Sequence, residues 1–251
     1  MKAIVTGASS GIGNDISKYL SKLGYDLVVV ARRENKLKEL QEKCNTNVEI
    51  VTMDLSIMEN VYKLYDMYKD QKIDILVNNA GFGVFGEFLQ TDLEKEMNMI
   101  DLNMKTMHAL TKLFLPNMVK ENYGHILNVA SIAGYMPSGP LFSSYYASKA
   151  YILHLTRAIQ TELKKIHSNV KVSVLCPGPV NTEFNNVANV KFSVKALSSE
   201  YVAKYGVDML LKGKKEIIPG TATKMLPFIV RIMPKSVLSY FTYQVQKKKF
   251  I

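Results

Sequence analysis

Seven short apolar runs, at residues 2–6, 26–31, 48–52, 74–77, 126–131, 170–175 and 216–220, are separated by longer stretches in which apolar residues recur at helical spacing. No other feature limits the fold so tightly. A short apolar run with little alternation is what a strand covered on both faces requires. Strands that alternate with helices pair in parallel, because each helix carries the chain back along the sheet. The pattern therefore predicts α/β architecture: one domain built on a doubly wound parallel sheet of about seven strands, with helices on both faces. The 251 residues suffice for a single large core. The reading places a ligand-binding domain over 1–220 and a helical, apolar and basic extension of it over 221–251.

In such sheets ligands bind beyond the carboxyl ends of the strands. The first run ends in Gly7-Ala8-Ser9-Ser10-Gly11-Ile12-Gly13, followed by a helical stretch to about Leu23. Strand, glycine turn and helix in that order make a phosphate-binding opening of Rossmann-like type. Glycines let the backbone approach a pyrophosphate, and the helix N-terminus presents free N–H groups with a partial positive charge. Alone, the turn would read equally as a tight connection. Its spacing is Gly-x-x-x-Gly-x-Gly rather than Gly-x-Gly-x-x-Gly.

The second run ends Ala31-Arg32-Arg33, without an acid. An acid there suits the ribose 2′-hydroxyl of NAD, and an arginine suits the 2′-phosphate of NADP. Two arginines opening a helix put positive charge at its wrong end, which points to NADP. After the third run, the Asp54 carboxylate is placed to accept from an adenine amino group or to cap the next helix, for which Ser56 is also suited. Asn78-Asn79-Ala80-Gly81 end the fourth run with small residues, which let a cofactor lie against the backbone, and with amides that can stitch strands together. The candidate cofactor residues are Gly7, Ser9, Ser10, Gly11, Ile12, Gly13, Arg32, Arg33, Asp54, Leu55, Asn79, Ala80 and Gly81, joined by Pro177, Gly178, Val180 and Thr182 past the sixth run.

Chemistry is expected at Tyr145-Tyr146-Ala147-Ser148-Lys149. On a helix, Tyr145 and Lys149 lie one turn apart on one face. A phenol titrates near 10, and a neighbouring ammonium favours its ionised form. Bringing it to neutrality takes about 3–4 kcal/mol. A lysine at a wet site supplies less, so a bound cationic ring such as an oxidised nicotinamide has to contribute. An exposed lysine and a packed tyrosine on an ordinary helix would show the same spacing.

Taken in order, Thr6-Gly7-x-x-x-Gly11-x-Gly13, Asn78-Asn79-Ala80-Gly81, Asn103, Ser131, Tyr145-x-x-x-Lys149 and Pro177-Gly178 resemble the short-chain dehydrogenase/reductase family over residues 2–220. The continuation past 220 is similar to the branch near the long-chain ketoacyl reductases. The resemblance implies that Tyr145 exchanges a proton with the substrate oxygen while nicotinamide exchanges a hydride. It also implies that Ser131 hydrogen-bonds that oxygen, that Lys149 binds the nicotinamide ribose and favours tyrosinate, and that Asn103 holds a water linking Lys149 to solvent. It implies a mobile lid over residues 183–197 and a homodimer or homotetramer built on a four-helix interface, and it requires no metal. Thr106, where the family often has glycine, is expected to alter packing only. Ser143 and Ser144 suit capping of the helix that follows.

Besides Ser131 and Tyr145, candidate substrate contacts are Phe85, Met136, Phe142 and Phe184, an apolar pocket or ordinary core. The net charge of +10 admits a phosphate-bearing cofactor, an acidic substrate, a lipid surface or nucleic acid. Its basic residues are spread out, with dense runs only at Lys212-Gly213-Lys214-Lys215 and Lys247-Lys248-Lys249, which argues against a nucleic-acid face. Cys44 and Cys176 form no CxxC pair and read as free thiols in a reducing compartment. His108, His125, His154 and His167 form no ligand cluster with cysteines or acids. No apolar run is long enough to span a bilayer, and the chain opens directly into a strand. A cytoplasmic enzyme is therefore expected.

In the extension, Met225, Leu226, Phe228, Ile229, Ile232, Met233, Val237, Leu238, Tyr240, Phe241 and Tyr243 are interleaved with Lys224, Arg231 and Lys235. Packing on the domain or on a partner subunit is the expectation; a cover for a greasy substrate and docking on an anionic membrane are the alternatives. The functional expectation is an NADP-dependent oxidoreductase acting on a small carbonyl or alcohol. A non-catalytic NADP-binding sensor or scaffold and a nicotinamide-using isomerase stand as alternatives.

Overall fold

The computed structural model describes residues 1–184 and 196–248. Seven strands, β1 (Lys2–Thr6), β2 (Asp26–Ala31), β3 (Val48–Thr52), β4 (Ile75–Asn78), β5 (His125–Val129), β6 (Lys171–Leu175) and β9 (Glu216–Ile217), form one sheet in the order β3-β2-β1-β4-β5-β6-β9. All its pairings are parallel. The chain winds outward from β1 to β3, then returns to the other side of β1 at β4. That reversal opens a crevice between the ends of β1 and β4, where ligands of such sheets bind.

Because successive strand residues face opposite ways, each strand feeds two cores. Ala3, Val5, Leu27 and Val29 pack with Ile16 and Leu20 of α1 (Gly11–Lys22), Leu37 and Leu40 of α2 (Glu34–Gln41), and Val202 and Val207 of α7 (Ser199–Leu211). Ile4, Val28, Val30 and Leu76 pack with Val61 and Leu64 of α3 (Met58–Tyr68) and with Leu110 and Phe114 of α5 (Met107–Lys120). Each such side chain contributes about 1.5–3 kcal/mol relative to exposure. Between the layers the sheet carries a buried polar network. The Asn78 amide donates to Asn128 Oδ1 (2.9 Å) and Thr111 Oγ1 (3.0 Å), and Asn128 Nδ2 donates to Thr156 Oγ1 (3.1 Å).

Several elements depart from the expected pattern. The long helical stretch between the fourth and fifth apolar runs divides into α4 (Leu93–Ile100), a wide π-helical segment Asp101–Thr106, and α5. Helix α6 (Ser143–Lys165) starts before Tyr145, and its N-cap is Phe142, with no side-chain bond from that residue. Ser143 and Ser144 lie inside the helix and do not cap it. Strand β5 stops at Val129, so Ser131 lies beyond it, at the head of a 3-10 turn Ile132–Tyr135. An unanticipated two-stranded parallel sheet joins β7 (Val180–Asn181) to β8 (Leu197–Ser198). It pins the two flanks of the expected lid, of which residues 185–195 lie outside the described residues. The extension forms helices α8 (Thr221–Lys224), α9 (Leu226–Ile232) and α10 (Lys235–Lys247). Among the described residues no helix is long and apolar enough to cross a membrane.

Candidate active site

The crevice between β1 and β4 is shaped by side chains that glycine lacks. Gly7 (φ +67°) and Gly11 (φ +54°) take left-handed backbone, where a Cβ is strained. A Cβ on Gly13 would sit 2.3 Å from Asn79 Nδ2 and 2.5 Å from the Gly7 carbonyl oxygen. Thr6, to which the sequence reading gave no role of its own, fastens the two strand ends. Its hydroxyl donates to the Val77 carbonyl (3.2 Å) and accepts from the Asn79 and Ala80 N–H groups (3.0 and 3.1 Å). Asn79 Nδ2 returns to the carbonyls of Thr6 (3.0 Å) and Gly7 (3.2 Å).

At the head of α1, Ser10 is the N-cap and makes no side-chain cap bond, and the first turn carries no acid. The positive end of the helix is thus uncompensated within its own turn. Ile12 packs on the core. Thr182 closes over the turn from the β7 side: a Cβ on Gly11 would be 3.0 Å from Thr182 Cγ2. Val180, on β7, is buried. Arg33 donates to Ser9 Oγ (3.1 Å) and to Glu183 Oε2 (2.8 Å). The Arg33 bond holds the Glu183 carboxyl below the usual range, against the opposing effect of burial. A carboxylate held by Arg33 beside an uncapped helix N-terminus puts an anion at the mouth of this turn. The residues present therefore fit a dinucleotide's phosphates.

Arg32 instead pairs with Asp54, at 3.5 Å between Nη1 and Oδ2. Asp54 Oδ1 accepts from the Ser56 N–H (2.9 Å) and hydroxyl (2.7 Å). Burial alone would raise this carboxyl; the two Ser56 bonds and Arg32 outweigh it and hold it low. Ser56 thus donates into Asp54 rather than capping the next helix, whose N-cap is Ile57. Leu55 is buried, and its carbonyl accepts from Thr106 Oγ1, which also donates to the Asp101 carbonyl (3.1 Å). Thr106 therefore ties the π-helical segment to the loop after β3, more than the packing change expected of it.

At the other end of the crevice, Ser131 leaves β5 in extended backbone; its Oγ accepts from the Ala133 N–H (3.1 Å) and donates to the Pro177 carbonyl (3.4 Å). Pro177 also accepts from the Ile132 N–H at 3.0 Å, and a Cβ on Gly178 would lie 3.7 Å from Ile132 Cδ1. Tyr135 donates to Glu216 (2.5 Å), which also takes both Nε and Nη2 of Arg157 at 2.9 Å, so the Ser131 turn is moored to edge strand β9. Tyr145 stands in the first turn of α6. The Lys149 ammonium is one turn on, 5.6 Å from the Tyr145 ring centre, and donates to the Val129 carbonyl (3.0 Å). Burial raises the Tyr145 phenol above its ordinary value, against a lowering hydrogen bond with Ser131. Burial likewise brings the Lys149 ammonium down to about 8. Cys176 is buried beside them, its thiol pushed up to about 12 by the same desolvation, which leaves it unreactive.

Asn103 does not present its side chain to solvent. Its Oδ1 accepts from the Phe82 N–H (3.0 Å), and its Nδ2 donates to the Phe82 carbonyl (2.9 Å) and to Ser148 Oγ (3.2 Å). The amide clamps the loop after β4. A Cβ on Gly81 would fall 2.7 Å from Asn103 Oδ1 and 3.7 Å from Lys149 Nζ. Thus Ser131, Tyr145 and Lys149 come together directly, and Asn103 joins them through Ser148 and Gly81.

Three of the four apolar candidates gather around Tyr145. Phe142 and Phe184 have ring centres 5.0 and 5.4 Å from Tyr145, and Phe85 is 5.2 Å from Phe142. Met136 ends the 3-10 turn and is not part of that cluster. Two participants escaped the sequence reading. Tyr146 packs with the cluster and accepts from Gln246 Nε2 of α10. Gly83 lets the rings approach, since a Cβ there would meet Phe142 at 2.6 Å and Phe184 at 2.9 Å. No sequence signal separates either from its neighbours.

The sheet order and this crevice define a dinucleotide-fold oxidoreductase. The family model described as short chain dehydrogenase matches residues 1–191, and the chain belongs to the short-chain dehydrogenase/reductase family. An uncharacterized oxidoreductase of Staphylococcus epidermidis is 38% identical over 183 residues, covering 72% of this chain and 78% of that protein. A short-chain dehydrogenase from Sphingobium yanoikuyae, solved in complex with NADPH, superposes with a TM-score of 0.83 at 26% identity, covering 92% of both chains. A family member from Burkholderia phymatum, solved with NAD, shares the fold at a TM-score of 0.82, 24% identity and 92% coverage of both.

Proposed function

We propose that the chain is an NADP-dependent reductase that converts a ketone or aldehyde to an alcohol, or runs the reverse reaction. The observation that carries this reading is the meeting of Ser131, Tyr145 and Lys149 at the end of β5, next to a glycine turn shaped for phosphates. The bound dinucleotide supplies a hydride for the carbonyl carbon. Tyr145, kept neutral by burial, donates its proton to the carbonyl oxygen as the charge develops. The Ser131 hydroxyl hydrogen-bonds the same oxygen, and the Lys149 charge stabilises the phenolate left behind. The Phe85, Phe142 and Phe184 rings favour an apolar carbonyl compound.

Arg33 at Ser9 supports NADP over NAD, and the NADPH complex of the Sphingobium relative agrees with it. Homo-oligomers are expected through α6 and the rod of α4, the π-helical segment and α5, where Ile100, Met104, Ala109 and Tyr151 line an apolar surface hollow. A cytoplasmic site of action follows from NADPH-driven reduction. Screening ketones, ketoacyl thioesters and steroids for NADPH oxidation tests the reading. Tyr145→Phe is expected to lose turnover by about 100-fold or more while NADPH binding stays nearly intact. A variant that retains full turnover would remove Tyr145 from the chemistry, and binding without turnover of any carbonyl would favour a sensor.

A further inference from the structure

The C-terminal extension is built inside out. The inward stripe of α10 is Leu238, Thr242 and Gln246, two of them polar. Val237, Tyr240, Phe241 and Val245, which follow at i, i+3, i+4 and i+8 and so share another face, are all exposed. On α9, Phe228 and Ile232 stand one turn apart and are 60% and 66% exposed, with Ile229 between them and Met225 just before the helix. A soluble helix normally presents the opposite pattern, and an exposed apolar patch of this kind marks an interaction site.

Charge identifies the partner. From 221 to 251 the chain holds six lysines and arginines and no aspartate or glutamate, so more than half of its net +10 rests there. A second copy would set basic side chains against basic side chains. An anionic lipid surface offers acyl chains to the aromatic and aliphatic side chains and phosphates to Lys224, Arg231, Lys235 and Lys248. We propose that the outward face of α9 and α10 docks this protein onto anionic membranes. The packed side of the extension belongs to the wall of the candidate active site: α9 rests on the 3-10 turn after Ser131, Ser239 meets Ser138 at 2.7 Å, and Gln246 holds Tyr146. Docking therefore brings that wall to the lipid surface.

The test is co-sedimentation of the full chain with vesicles of phosphatidylcholine alone and of phosphatidylcholine mixed with phosphatidylglycerol, at low and high salt. Binding is expected only to the mixed vesicles and is expected to weaken with salt. A Phe228→Asp/Ile232→Asp/Phe241→Asp variant and a Lys224→Gln/Arg231→Gln/Lys235→Gln variant should each bind at least tenfold more weakly, with unchanged circular dichroism and melting. Absence of the intact chain from the mixed-vesicle pellet overturns the proposal. So does undiminished binding by both variants, or sedimentation velocity showing a dimer that the aspartate variant dissolves while lipid binding persists.

Discussion

Arg33 and Glu183 form an ion pair across the mouth of the glycine turn, 2.8 Å between Nη2 and Oε2, with both side chains about half exposed. The guanidinium that would read a ribose 2′-phosphate is thus already engaged by an acid from the far side of the crevice. Glu183→Gln should tighten NADPH by about two- to fivefold, since a half-exposed pair contributes about 0.2–1 kcal/mol. NADH affinity should stay constant. Arg33→Ala should weaken NADPH by about tenfold to a hundredfold, and Arg32→Ala by less, because Arg33 is the one that reaches the glycine turn, at Ser9, while Arg32 turns to Asp54. Fluorescence titration of both cofactors measures all three. Equal losses for NADPH and NADH in Arg33→Ala would refute the phosphate assignment.

The pH profile of reduction should fall on its alkaline side. Lys149 titrates near 8, so its charge, which favours the tyrosinate product of proton transfer, disappears as pH rises through that value. Lys149→Met should lower kcat by about 100-fold and remove that limb. A wild-type profile flat from pH 7 to about 9 would remove the Lys149 charge from the rate-determining step.

The same lysine gives a stability signature of definite sign. In the folded chain it binds its proton only below about 8, against an ordinary 10.5. Between those values the unfolded chain holds a proton that the folded chain does not, so stability rises with pH across that window. Relative to Lys149→Met, the wild type should gain up to about 3 kcal/mol there. Urea titrations of both proteins at several pH values measure the difference; a gain running toward acid would contradict the burial.

Thr6→Val removes the acceptor shared by the Asn79 and Ala80 N–H groups while preserving shape. Leaving these part-buried donors unpaired should cost about 1–3 kcal/mol, with weaker cofactor binding because the two strand ends come apart. Thr6→Ser should restore most of both. Thermal melts with and without NADPH follow the effect, and a Val variant as stable as wild type would show that the hydroxyl is dispensable.

The sheet was legible because its inner strands, buried on both faces, read as continuous apolar runs and its edge strand β3 as an alternating one: residues 2–6, 26–31 and 48–52 are strands to the residue. The glycine turn was legible because it follows directly on the first strand; the missing side chains at Gly7 and Gly13 make room for Asn79, and that at Gly11 for Thr182. What the sequence hid depends on partners distant in the chain. Arg32 and Arg33 look equivalent until one meets Asp54 and the other Ser9. Nothing near Asn103 in the chain announces that Phe82 and Ser148 take its side-chain atoms. Tyr146 belongs to the aromatic cluster only because α10 delivers Gln246 to it. Ser143 and Ser144 are good capping residues, yet the helix starts one position too early for Ser143 to serve and two for Ser144.

The loosely wound segment Asp101–Thr106 has a consequence for how this chain tolerates insertions and deletions. Excising one residue there would let ordinary helical bonding run unbroken, and by local propensity the result would be a better helix. Every later side chain of α5 would then swing by about 100°. Thr111 would leave Asn78 and Asn128, stranding two interior amides, and Asn103 would lose its phase with Phe82. The gap in helical regularity is therefore a spacer that keeps two halves of one rod in different rotational settings, and shortening it would dismantle the centre of the molecule.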